Sequence, residues 1–71
     1  MSSIIVCDWC SAESTAEDWN KTSYEQCKNR KMKRAFKPVE DTVGNKLGAK
    51  FYYMCPKCKQ WVNGAKLRVQ V

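Results

Sequence analysis

Four of the five cysteines in this 71-residue chain stand in two C-x-x-C pairs, Cys7-Asp8-Trp9-Cys10 and Cys55-Pro56-Lys57-Cys58. No other feature constrains the fold as strongly. Two residues between thiolates let a tight turn aim both sulfurs at one tetrahedral ion, while turn amides point at the sulfurs and spread their charge. Two such turns complete a four-cysteine shell, so segments far apart in sequence are expected to meet at one point. Zinc suits the site because it favours tetrahedral thiolate ligation and needs no redox chemistry. The expectation is one zinc ion in a closed shell with no position for a catalytic water, and hence a structural role.

Size makes such a centre necessary. A chain of this length buries only about 60% of its unfolded surface, whereas a structural zinc site contributes about 10–16 kcal/mol. Two other uses of paired cysteines fit less well. Disulfides need an oxidising compartment, and residues 1–6 (Met-Ser-Ser-Ile-Ile-Val) are too short for the apolar stretch of a secretory signal and carry no basic residue, so a reducing, cytoplasmic setting is expected. Thioredoxin-like redox chemistry needs one such pair at a strand-to-helix junction of a larger α/β fold. Nothing in the sequence suggests a membrane span.

Cys7-x-x-Cys10 and Cys55-Pro56-x-Cys58 resemble the two knuckles of a zinc ribbon, a fold group in which two β-hairpins clasp one zinc and a third strand often completes a small sheet. The resemblance covers the two ends of the chain and implies a single domain, 1–71: a small, zinc-stabilised, β-rich ribbon with antiparallel hairpins. Ribbons often carry glycine after the second cysteine of each knuckle, where it relieves a left-handed backbone; Ser11 and Lys59 stand there in this chain. Rubredoxins share the paired knuckles and Cys-Pro-x-Cys but bind iron and are acidic, unlike this chain.

The β-branched run Ile4-Ile5-Val6 predicts a strand into the first knuckle, and Phe51-Tyr52-Tyr53-Met54 one into the second. After Gln60-Trp61-Val62, the dipeptide Asn63-Gly64 predicts a tight hairpin turn. The alternation from Ala65 to Val71 then predicts a returning strand with Ala65, Leu67, Val69 and Val71 on its buried face. Forty-four residues separate Cys10 from Cys55, enough to need structure of their own. Ser11–Thr22 is polar and acidic apart from Trp19 and small alanines, and reads as a loop with room for one helical turn. Ser23-Tyr24-Glu25-Gln26 matches a capping box and predicts a short helix over 23–30, with Tyr24, Cys27, Lys31 and Ala35 on one stripe. The alternation from Met32 to Val39 predicts a strand, returned to Phe51 by Gly44-Asn45 and Gly48. Phe36, Phe51 and Trp61 are expected in the core, because large aromatics dominate small cores. Cys27 is expected to be a small buried apolar residue.

The chain has thirteen Lys and Arg against seven Asp and Glu, a formal charge of +6. Four thiolates and one divalent cation lower that by two, and the excess is concentrated. Lys28, Arg30, Lys31, Lys33, Arg34 and Lys37 fall within ten residues with no acid among them; Lys57, Lys59, Lys66 and Arg68 surround the last knuckle and strand. Such clusters attract phosphates and release their condensed counterions, and arginine can also grip a guanine edge. Aromatics facing out, with Tyr52, Tyr53 and Trp61 as candidates, would add base stacking. The expected function is a non-catalytic zinc-binding module that binds DNA or RNA through residues 28–37, assisted by Lys57, Lys59 and Arg68, and acts as a monomer. Absence of histidine excludes a Ser/His/Asp triad, and no Gly-rich phosphate loop is present.

The alternative is a protein adaptor regulating the transcription or translation machinery, motivated by the early acids Asp8, Glu13, Glu17 and Asp18. Glu40-Asp41 resembles the acidic pair that ribbons of transcript-cleavage factors present at a hairpin tip. Electron transfer of the rubredoxin kind is the third reading.

Overall fold

Ile4–Val6 form strand β1 as their β-branched side chains favour, and β1 leads into the first knuckle. The structure, a computed structural model, describes residues 3–27, 37–46 and 50–70. The chain leaves that knuckle as β2 (Glu13–Thr15), antiparallel to β1 with Ile5 opposite Ser14. It then enters helix α1 (Ala16–Gln26). A short helix α2 (Val39–Thr42) follows. β3 (Tyr52–Met54) enters the second knuckle and β4 (Trp61–Asn63) leaves it, again antiparallel, with Tyr53 opposite Val62. Finally β5 (Arg68–Gln70) pairs antiparallel with β1, placing Val69 opposite Ile5. The result is a three-stranded sheet in the order β2-β1-β5 and a separate two-stranded sheet β3-β4.

The segment read as a loop, 11–22, holds β2 and most of α1. Thr15 caps the helix by accepting a hydrogen bond from the Asp18 amide at 3.2 Å, and Glu17 and Asp18 place negative charge in the first turn, where the helix dipole favours it. The helix therefore starts eight residues before Ser23 would have started it, since Thr15 and Ser23 are eight positions apart. Ser23 is fully buried inside the helix and uses its hydroxyl elsewhere. α1 ends at Gln26, and Val39 opens α2 instead of closing a strand. Lys37 and Pro38 form no strand; residues 28–36 of the predicted helix and strand, Phe36 among them, lie outside the described residues, as do Gly48 and Val71.

α1 is the piece that joins the two sheets. The Trp19 indole N–H donates to the Ile5 carbonyl of β1 at 3.2 Å. Asn20 Oδ1 accepts from the Val39 amide of α2 at 2.9 Å. The Ser23 hydroxyl donates to the Trp19 carbonyl at 2.7 Å and accepts from the Met54 amide of β3 at 2.9 Å. Three residues within five positions thus fix three elements. Around them lies the core: Ile5, Cys7, Ala16, Trp19, Val39, Tyr53, Cys55, Val62 and Leu67, with Tyr24, Cys27, Val43, Phe51 and Cys58 packed against it. Tyr53 is buried with its hydroxyl donating to the Lys37 carbonyl at 2.7 Å, and burial pushes its phenol pKa up.

Asn63-Gly64 does not turn a hairpin. Asn63 caps a 3₁₀ turn, Gly64–Lys66, through a bond from the Ala65 amide to its side chain, and the turn carries the chain from one sheet to the other. Gly64 is held on both sides, its amide donating to Phe51 O at 3.0 Å and its carbonyl accepting from Gly44 N at 3.2 Å. The last strand is accordingly shorter than its alternation predicts. Leu67 is buried, but Val69 lies on an edge strand and is 39% exposed. Trp61 is also exposed, contrary to its expected core place, because Tyr53 and Val62 fill the inner face of β3-β4.

Candidate metal centre

Each C-x-x-C is a tight turn between antiparallel strands, and the two turns are built alike. In the first, Ser11 N donates to Cys7 O at 3.1 Å and Cys7 N to Ala12 O at 3.0 Å; in the second, Lys59 N donates to Cys55 O at 3.0 Å and Cys55 N to Gln60 O at 3.1 Å. The closure drives the residue after the second cysteine into the left-handed region, and Ser11 and Lys59 both have φ of +59°. Here glycine would be free of strain, while a residue with Cβ pays about 1 kcal/mol.

The turn amides point at the sulfurs. Trp9 and Cys10 donate to Cys7 Sγ at 3.3 and 3.5 Å, and Lys57 and Cys58 donate to Cys55 Sγ at 3.3 and 3.4 Å. The amides of Ala12 and Gln60 reach the second sulfurs, Cys10 and Cys58. Three amides per knuckle thus disperse thiolate charge. The Ala12 bond above all brings the Cys10 thiol down to about 7, whereas desolvation pushes Cys58 up to about 12 and burial raises Cys7.

Between knuckles, Cys7 Sγ lies 3.7 Å from Cys58 Sγ and Cys10 Sγ lies 3.7 Å from Cys55 Sγ. All four sulfurs fall within 4.8 Å of one another. A tetrahedral ion with metal–sulfur bonds of about 2.3 Å requires sulfurs about 3.8 Å apart, so the four fit one such cation. None of the four forms a disulfide. Cys7 and Cys55 are buried, Cys58 is half-buried and Cys10 is exposed, which places the cluster at the edge of the core. The expected ligand set, Cys7, Cys10, Cys55 and Cys58, is thus brought together as a possible metal site. Cys27 stands apart from it, half-buried against the core.

The expected cationic residues are placed in part. Lys37, Lys57, Lys59 and Arg68 are exposed; Lys28, Arg30, Lys31, Lys33 and Arg34 lie outside the described residues. Lys57 and Lys59 flank Cys58, where four thiolates around a divalent cation would leave net negative charge for them to offset. Glu40 and Asp41 sit exposed on α2 and not at a hairpin tip. Two further aromatics escape the sequence reading: Trp9, at the tip of the first knuckle, is 71% exposed, and Trp19 is the largest fully buried side chain. The Thr15-x-x-Asp18 cap was the available signal for Trp19, since it sets the helix that turns Ala16, Trp19 and Ser23 inward.

Among the described residues, no helix is long and apolar enough to cross a membrane. Compared with protein-family models, with curated proteins and with solved structures, the chain matches none.

Proposed function

We propose that Cys7, Cys10, Cys55 and Cys58 hold one structural zinc ion at the centre of a zinc-ribbon-like module, and that this module binds nucleic acid through its cationic surface without catalysing a reaction. The four-sulfur cluster carries the first half of the reading. Its closed shell offers no open position to a substrate or water, and its amide bonds suit a permanent dianionic centre. The two knuckle hairpins and the strand β5 that extends one of them agree with a ribbon. The second half rests on charge: the run from Lys28 to Lys37, with exposed Lys57, Lys59 and Arg68, is suited to binding phosphates.

Native mass spectrometry of the purified chain tests the first half, with one zinc and no colour as the expected result; a red iron form would instead support electron transfer. Titration with DNA and RNA at two salt concentrations tests the second. Affinity should fall steeply with salt and weaken when Lys28, Lys31 and Lys33 are replaced together. A second reading, protein adaptor, draws on the exposed carboxylates Asp8, Glu13, Glu17 and Asp18 of the first hairpin and helix start. Under that reading one stoichiometric protein partner is retained after nuclease treatment.

A further inference from the structure

The outward face of β3-β4 is the part of the molecule whose chemistry the metal centre leaves unused. In this antiparallel pair, directly opposed residues share a face, and faces alternate along each strand. Tyr53 opposes Val62, and both are buried on the inner face against the core. Tyr52 opposes Asn63 and Met54 opposes Trp61, so Tyr52 and Trp61 are diagonal neighbours on the outer face. Diagonal positions lie about 7–8 Å apart, within mutual reach of two aromatic side chains. Tyr52 is 51% exposed and Trp61 40%, while Met54, opposite Trp61, is buried. Two large, exposed aromatic side chains therefore occupy diagonal positions on one face of a small sheet whose other face is anchored.

Charge singles out the same region. Residues 42–71 contain six cations, Lys46, Lys50, Lys57, Lys59, Lys66 and Arg68, and no acidic residue; residues 3–27 contain five acids and one lysine. Lys50 lies two positions before Tyr52, and Lys57 and Lys59 lie in the turn joining β3 to β4. All three are exposed, Lys50 just before the aromatic pair in sequence and Lys57 and Lys59 between its two members. Exposed aromatic side chains in a lysine-rich segment without carboxylates match a chain of bases linked by phosphates. They do not match an acidic peptide, which has no planar rings to stack, or a duplex, whose bases are already stacked and closed to side-chain rings.

We infer that Tyr52 and Trp61 on the outer face of β3-β4 are the base-stacking platform for single-stranded nucleic acid, with Lys50, Lys57 and Lys59 holding the phosphates. This deepens the nucleic-acid reading and rests on it, but it assigns the bases to this face and not to residues 28–37. Ring planes and ammonium groups address features common to DNA and RNA, so the platform takes either sugar.

The test uses the full zinc-loaded chain and fluorescence anisotropy with labelled oligothymidylate and oligouridylate of about 12 nucleotides, a length that spans several stacking positions, and with a duplex of the same length. Both single strands should bind more tightly than the duplex and within a few-fold of each other. Tyr52→Ala and Trp61→Ala should each weaken single-strand binding by about tenfold, while Tyr52→Phe and Trp61→Phe retain it. The aromatic variants should leave the salt slope unchanged, and the pair Lys57→Gln with Lys59→Gln should reduce it by about 0.7 for each phosphate no longer neutralised. Native mass spectrometry confirms one zinc in every variant, separating a damaged binding face from an unfolded chain. Undiminished binding by the alanine variants, equal affinity for duplex, or about tenfold preference for one sugar overturns the inference. If binding survives both alanine variants but disappears on replacing Lys28, Lys31 and Lys33, the inference fails and the general reading stands. If no nucleic acid binds at low salt, both fail, and a protein partner that Trp61→Ala no longer retains would take this face instead.

Discussion

The two knuckles share a backbone and differ in almost everything attached to it. Each donates three amides to its two sulfurs, each closes with the same pair of main-chain bonds, and each strains the residue after its second cysteine to φ of +59°. The first, however, carries Asp8 and Trp9 and lies in an acidic third of the chain, whereas the second carries Lys57 and Lys59 in a stretch without acids. Coordination chemistry dictates the common part, because two sulfurs must be presented to one ion at fixed spacing. What sulfur presentation does not dictate is open to other uses, and there the two hairpins differ.

The largest test of what the knuckles share is removal of the zinc proposed to join them. Cys7→Ser and Cys55→Ser should each abolish cooperative thermal unfolding, as should a strong chelator, because about 10–16 kcal/mol of binding energy is withdrawn from a small core. Circular dichroism melts check this, and a melt surviving in one variant only would show that the halves are not equivalent. The same centre sets the pH response. Metal-bound thiolates carry no protons, while unfolded cysteines titrate near 8.5, so the unfolded state binds more protons below that value. Stability should therefore fall as pH drops below about 8.5, and a chelator-competition titration should show metal affinity declining in step.

The next test probes what lies between the knuckles. Trp19→Ala should cost about 3–5 kcal/mol, as expected for emptying a buried aromatic site, whereas the exposed Trp9→Ala should change stability by less than about 0.5 kcal/mol. Denaturant melts of the two variants give that contrast directly. Ser23→Ala should cost about 1–3 kcal/mol, because the buried Met54 amide loses its acceptor; a neutral result would mean that α1 does not tie β3 in place. The smallest effect sharpens the comparison itself. Ser11→Gly and Lys59→Gly should each stabilise by about 1 kcal/mol by relieving the same left-handed strain, and a gain at one site alone would separate the knuckles energetically.

The four-cysteine cluster was legible in the sequence because the spacing of the pairs is a local property: two residues between cysteines define the turn wherever the chain goes next. Strands β1 and β3 were legible for a similar reason, their apolar runs adjoining the knuckles. α1 was hidden because its buried face consists of Ala16, Trp19 and Ser23, and only one of these is large and apolar. Its packing depends on the bond that the Trp19 indole donates to β1 and the one that the Ser23 hydroxyl accepts from β3. Asn63-Gly64 misled because its local preference for a hairpin is overridden by the pairing of β5 with β1, a partner at the other end of the sequence. Alternation in Tyr52-Tyr53 predicts two faces but cannot tell which tyrosine is inward. The packing of α1 against β3 decides it.

The pairing of β5 with β1 also sets an order of events. Ile4 faces Gln70 and Val6 faces Arg68, so direct closure of this edge of the sheet has to bridge about sixty residues. Once one ion joins Cys7 and Cys58, the path from Val6 to Arg68 through the metal shortens to about a dozen residues, which lowers the entropic barrier to pairing by about 1.5 kcal/mol. A zinc ion bound there, as proposed, would speed the pairing of β5 with β1 as well as anchor the two knuckles. Refolding rates measured as zinc is titrated should rise with metal occupancy, with β5 the last strand to gain protection from hydrogen exchange.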